Sequence, residues 1–214
     1  MNNLANLQDK ASAWFAASKL PSLKQEEQML AAEIPQLLGN YWLHMGPAFL
    51  AADLRAQFVS LGANSNWCDL VCAEDKWAIA PDYADVVLLQ HSFDFGVNPK
   101  AILKQAIISL RPGGQLLITG FNPGSALGVK KFFQNNVLSE ANFIAPSIVK
   151  TWLAELNLRI IKVVFSAKHV FGDVYLIVAH KVNLAGKTQT VEKPNWLRQI
   201  APQSAAAIKN NAQD

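Results

Sequence analysis

Residues 84–123 read ADVVLLQHSFDFGVNPKAILKQAIISLRPGGQLLITGFNP, and the order of elements in this stretch decides the fold. Val86-Val87-Leu88-Leu89 is a short, almost wholly apolar run with two β-branched residues. Such a run suits a strand buried on both faces, as in a parallel sheet. Asn98 is a good helix N-cap and Pro99 fits the first helical position, where its missing N–H costs nothing. Ile102, Leu103, Ala106, Ile107 and Leu110 then recur on one helical face. Pro112-Gly113-Gly114 stops the helix and turns the chain, and Leu116-Leu117-Ile118 is the next strand. Strand, crossover helix and strand make a βαβ unit. Its two strand ends lie side by side, carrying Gln90-His91-Ser92 and Gly120-Phe121-Asn122-Pro123. In open α/β sheets ligands bind just beyond such carboxyl ends.

Upstream, residues 1–21 read as a lead-in, either a short helix or a frayed segment. Ser22-Leu23-Lys24-Gln25 has the form of a capping box opening a helix with Leu23, Leu30, Ile34, Leu37 and Leu38 inward. Pro35 interrupts that helix and Gly39 ends it. Strands are expected at 41–45 and 57–61, helical turns at 49–54, and a strand or loop at 69–73. Downstream, 125–133 reads as a short helix and 135–142 as a polar loop. Ser147 to Leu156 is an amphipathic helix with Ile148, Val149, Trp152, Leu153 and Leu156 inward. The segments 159–167 and 174–182 alternate as a closely connected, hence antiparallel, pair. From Asn183 onward periodicity is lost and the composition suits a disordered tail. The expected organisation is a lead-in to residue 21, one domain over 22–182 and a tail over 183–214.

The chain has 214 residues, 51% hydrophobic, with a net charge of +3. This supports one sizeable α/β core and gives no strong nucleic-acid signal. Cys68 and Cys72 are spaced neither as CxxC nor within a four-ligand set, which implies no zinc site and no disulfide framework. No apolar window is long enough to cross a membrane, and the first residues lack a signal-peptide design. A cytoplasmic, soluble protein without a membrane partner is expected.

Asp85-Val86-Val87-Leu88-Leu89 resembles the fourth-strand motif of the class I S-adenosylmethionine-dependent methyltransferases. Leu110-Arg111-Pro112-Gly113-Gly114 followed by Leu116-Leu117-Ile118 resembles that family's fifth-strand entry, L-[KR]-P-G-G-x-L. The Gly-Phe-Asn-Pro ending and the run from Lys24 to Leu30 look like a small bacterial branch of methyltransferase-like proteins, of the type 11 kind. The resemblance spans Leu23 to Lys181. It implies a Rossmann-like, doubly wound α/β fold whose mostly parallel sheet ends in a C-terminal antiparallel hairpin. It also implies S-adenosylmethionine as cofactor and a methyl acceptor that the sequence does not name.

Against the family's first loop, D-x-G-x-G-x-G, the chain has Leu43-His44-Met45-Gly46-Pro47-Ala48-Phe49. Only Gly46 remains, and His44 or Met45 stands where an acid is usual. The second strand ends Val59-Ser60-Leu61-Gly62 without the usual ribose-binding carboxylate. Glu74 and the adjacent Asp75 stand near the position of the adenine-side acid. The resemblance thus places the cofactor across His44, Gly46, Ser60, Glu74, Asp75 and Gln90. His91 and Asn122 are the candidate catalytic residues. A neutral imidazole at His91 could accept a proton from the acceptor, and the Asn122 amide could position a planar group. Trp77 and Phe93 serve equally as apolar walls or as core. No metal role is assigned: His44, His169 and His180 lack carboxylates at ligand spacing. Methyl transfer needs mainly in-line positioning, so no conspicuous catalytic dyad is expected. The altered loop leaves open a second reading, a catalytically silent methyltransferase-like protein that acts as a binding partner or regulator. A third, another nucleotide-binding α/β module, lacks a GxxxxGK[ST] loop.

Overall fold

The computed structural model describes residues 2–47, 58–63, 68–167 and 171–182. The elements, in chain order, are helices α1 (Asn2–Ala17) and α2 (Pro21–Glu33), then strands β1 (Trp42–Met45), β2 (Phe58–Gly62), β3 (Leu70–Val71) and β4 (Ala84–Gln90). Helices α3 (Ser92–Phe95) and α4 (Pro99–Ser109) lead to β5 (Leu110–Phe121). Helices α5 (Ala126–Lys130), α6 (Val137–Glu140) and α7 (Pro146–Glu155) precede β6 (Leu158–Phe165) and β7 (Val174–Lys181). The seven strands form one sheet in the order β3-β2-β1-β4-β5-β7-β6. The first five pair in parallel, and β7 runs antiparallel between β5 and β6. This is the doubly wound sheet with a C-terminal antiparallel pair that the sequence implied.

Alternation along the central strands sorts the core into layers. Val87, Leu89, Leu116 and Ile118 pack with Ile102, Leu103 and Ala106 of α4 and with Val149 and Leu153 of α7. Val86, Leu88 and Leu117 pack on the other face with Leu30 of α2, with Ile34 of the 3₁₀ turn that follows it and with Leu37 just beyond that turn. Every residue of β4 is buried, as expected of a strand covered on both sides. A third cluster sits over the strand ends, where Ala11 of α1 meets Phe95, Phe121, Val137, Leu138 and Val174.

Several local expectations are corrected. Of the two readings of residues 1–21 the helix is the one found, 16 residues long and packed against the core. Helix α2 begins at Pro21 with no side-chain cap bond at Leu20, so proline at the first turn, not a Ser22 capping box, sets its start. Leu38 is 76% exposed, because the chain turns away after the 3₁₀ turn Ile34–Gln36. Asn98 caps α4 through a bond from the Ala101 N–H at 3.1 Å. Residues 111–114 lie within β5 as a register shift between the Ala84–Leu110 and Val86–Gln115 pairs, with Gly113 at φ +80°, rather than as a separate turn. The 135–142 segment contains the helical turn α6. Ile148 and Leu156 face outward while Val149 and Leu153 are buried. The expected turns at 49–54 and the tail over 183–214 lie outside the described residues.

Candidate functional site

The strand order reverses between β1 and β4, with β2 on one side and β5 on the other. In open α/β sheets such a reversal is where a ligand crevice forms, at the carboxyl ends of the two strands. Gly46 closes the end of β1 at φ +147°, and a Cβ there would lie 1.7 Å from the Gln90 carbonyl oxygen. Only glycine fits so close to neighbouring backbone. The Ser92 hydroxyl donates to the Met45 carbonyl and ties the two strand ends together. The Met45 side chain lies in the core cluster beneath α4 and α7.

Below the crevice runs a chain of buried polar groups. His44 Nε2 lies 3.2 Å from Gln90 Oε1, and Gln90 Nε2 donates to Glu26 Oε1 at 3.2 Å. Glu26 Oε2 faces His91 Nε2 at 2.9 Å, and His91 Nδ1 faces Asp94 Oδ2 at 2.7 Å. The Phe121 N–H donates to the same Asp94 oxygen at 2.9 Å. An acid on each side favours the imidazolium form of His91, in which both ring nitrogens donate. Burial opposes that charge, but Glu26 and Asp94 outweigh it and push His91 up to about 9. Burial raises Glu26 as well, yet the adjacent His91 charge leaves it below its ordinary value. For Asp94 burial prevails and its carboxyl is raised.

His91 is thus sealed rather than open to an acceptor. Its ring lies 4.9 Å from that of Phe15 and 4.2 Å from that of Phe121. Its backbone takes the left-handed conformation at φ 52°, turning the chain from β4 into α3. The sequence reading of a neutral imidazole is corrected by the two flanking acids. Asn122 donates from Nδ2 to the Gly172 carbonyl at 3.1 Å and accepts from the Gly124 N–H at 3.1 Å. It braces the turn after β5.

The candidate cofactor residues fall in two places. His44, Gly46 and Gln90 gather at the crevice. Ser60 is level with His44 in the sheet; its backbone pairs with Asp69, through Ser60 N–H to Oδ2 at 2.8 Å and Asp69 N–H to the Ser60 carbonyl at 3.0 Å. The strand ends two residues later at Gly62, with no carboxylate. Glu74 is buried beside α1 and accepts from the Val97 and Asn98 N–H groups at 3.0 and 3.2 Å. Burial raises its carboxyl. Its other oxygen accepts one long bond, 3.4 Å, from Gln8 Nε2. Asp75 is exposed. Trp77 and Phe93 belong to the core.

Helix α1 roofs this edge. The Ser12 hydroxyl donates to the Pro47 carbonyl at 3.0 Å, Gln8 reaches Glu74, and Trp14 and Phe15 rest on Phe121. The sequence reading missed Gln8, Glu26 and Asp94. A signal existed for Glu26, which precedes Leu30 by one helical turn and so shares its inward face. Among the described residues no cluster of His, Cys, Asp and Glu is arranged to hold a metal ion.

No protein-family model matches the sequence, and no curated protein is similar to it in sequence. Solved structures are similar in fold. An S-adenosylmethionine-dependent methyltransferase from Thermotoga maritima aligns at 16% identity and TM-score 0.63, over 85% of this chain and 100% of its own. One from Aquifex aeolicus aligns at 14% and 0.59, over 80% and 98%, and one from Archaeoglobus fulgidus at 15% and 0.58, over 74% and 94%. The chain has the class I S-adenosylmethionine-dependent methyltransferase fold.

Proposed function

We propose that the chain is an S-adenosylmethionine-dependent methyltransferase. The observation that carries this reading is the reversal of strand order at β1 and β4, with Gly46 seated on the Gln90 carbonyl, in a sheet shared with methyltransferases over nearly their whole length. The polar atoms at the strand ends fit an adenosyl group on its base side. Among the described residues, Gln8 Oε1 is buried without a partner, beside a Glu74 oxygen whose one bond there is long, 3.4 Å. An exocyclic amine has two hydrogens to offer, and these two acceptors would receive them. Gln8 and Glu74 would hold the base, and the backbone at Gly46 would allow close approach of the remainder. On the ribose side Gly62 offers no acid, so the described residues supply no ribose acceptor there.

The cofactor, when bound, supplies an electrophilic methyl carbon. The chain supplies binding, orientation and exclusion of water. His91 and Asn122 act in this reading as positioning residues. The Glu26–His91–Asp94 set fixes the end of β4, and Asn122 fixes the turn after β5. Titration calorimetry with S-adenosylmethionine and S-adenosylhomocysteine tests the reading. Binding in the micromolar range is expected, weakened about tenfold by Gln8→Ala through loss of one hydrogen bond. A folded protein that gives no heat at high micromolar ligand refutes it.

A second reading, a catalytically silent protein with this architecture, is favoured by one observation. The Gln8 amide already donates to Glu74, and α1 lies across the strand ends. In that case α1 is a permanent occupant, and wild-type binding is absent.

A further inference from the structure

Two turns at the carboxyl edge of the sheet carry apolar side chains into solvent. After β5, Val129, Phe132 and Phe133 are 59%, 79% and 85% exposed, and in the β6–β7 turn Phe171 is 71% exposed. The turns adjoin: the Leu127 N–H donates to Asp173 Oδ1 at 3.2 Å, and Asn122 holds the Gly172 carbonyl. Lys130 lies exposed between Val129 and Phe132. Lys131 braces the segment by donating to the Ala141 carbonyl, with its ammonium 5.7 Å from the Phe132 ring centre and 4.6 Å from that of Phe143. Scattered apolar residues are ordinary on a surface, but grouped and nearly bare aromatics mark an interaction site.

We propose that this rim docks on an anionic lipid bilayer, with the three phenylalanines entering the headgroup boundary and Lys130 facing lipid phosphates. Charge and shape select this occupant. Aromatic side chains beside an exposed lysine match an interface that is apolar below and negative above. Helix α5 has five residues, too few to offer the repeated anchors that a partner's groove reads. Three aromatics and a valine supply roughly 500 Å², short of the roughly 800 Å² per partner of a stable dimer. The contact lies on the membrane and spans nothing: among the described residues no helix is long and apolar enough to cross one. It does not depend on the methyltransferase reading.

The test is co-sedimentation of the full chain with vesicles of phosphatidylglycerol and phosphatidylcholine, and with vesicles of phosphatidylcholine alone. The wild type is expected to sediment with the first and far less with the second. Phe132→Ser with Phe133→Ser should lower partition on the order of tenfold or more, and Lys130→Gln should lower it by about fivefold, both with an unchanged circular dichroism spectrum. Wild-type protein that stays in the supernatant with both vesicles overturns the proposal. So does sedimentation that the double serine variant leaves unchanged, or a dimer in sedimentation velocity that this variant dissociates.

Discussion

The buried histidine makes stability depend on pH in a window where most proteins are insensitive. His91 is fully buried between Glu26 and Asp94, and its value rises from 6.5 to about 9. A proton held more tightly in the folded chain stabilises it in full below the unfolded value of 6.5, and that contribution is lost as pH rises through about 9. The difference corresponds to about 3 kcal/mol, and no solvent reaches the ring to screen it. Urea unfolding followed by tryptophan fluorescence should therefore show a falling midpoint across this window at constant m-value. Glu26→Gln should cost about 3–5 kcal/mol at neutral pH, because it strips one partner from a buried charge. It should also shrink the slope and move it to lower pH, since Asp94 alone then holds the proton. The window ends below the point where Tyr175, raised well above 10 by burial, or Cys72, raised to about 11, is called on to ionise. Equal wild-type midpoints at both ends of the window, or an unchanged slope in Glu26→Gln, would show that His91 is not the cation the geometry describes.

Two substitutions probe the same edge by packing. Tyr175→Phe removes a buried hydroxyl that has no partner among the described residues, and stability in urea should stay level or rise by up to about 1 kcal/mol; a loss above that size would reveal a bond that the geometry lacks. Gly46→Ala places a methyl on the Gln90 carbonyl at a φ that side chains avoid. It should destabilise by about 2 kcal/mol or more and abolish cofactor binding in calorimetry, and an alanine variant as stable as the wild type would rule out the close approach.

Much of the sheet was legible because its signals are local. Val86–Leu89 is apolar whichever neighbours it finds, and Asn98-Pro99 caps its helix within three residues. The last two strands alternate and are close in sequence, so only an antiparallel pairing was open to them. The polar chain was legible only in fragments, because its members come from different elements. Glu26 sits in a run of glutamates and glutamines that reads as a solvated face, and its partner His91 is 65 positions away. The reading of His91 as a neutral base passed over Asp94 three positions on, and Glu26 arrives only through folding. Glu74 was singled out by its place after the third strand, but Gln8 opposite it lay in a stretch that gave no periodic cue. The start of β5 was misplaced because Pro112-Gly113-Gly114 signals a turn, and a register shift within a strand satisfies the same backbone demands.

The roof made by α1 precedes in sequence everything it rests on. Pro47, Glu74, Phe95 and Phe121 must be in place before it finds its seat, and Gln8 meets Glu74 across 66 positions. Contacts so distant form late during folding and carry a closure cost that local helices avoid. Held by such distant contacts, its amides should exchange hydrogen sooner than those of β4 beneath. The cover over the crevice then lifts more readily than the floor it rests on.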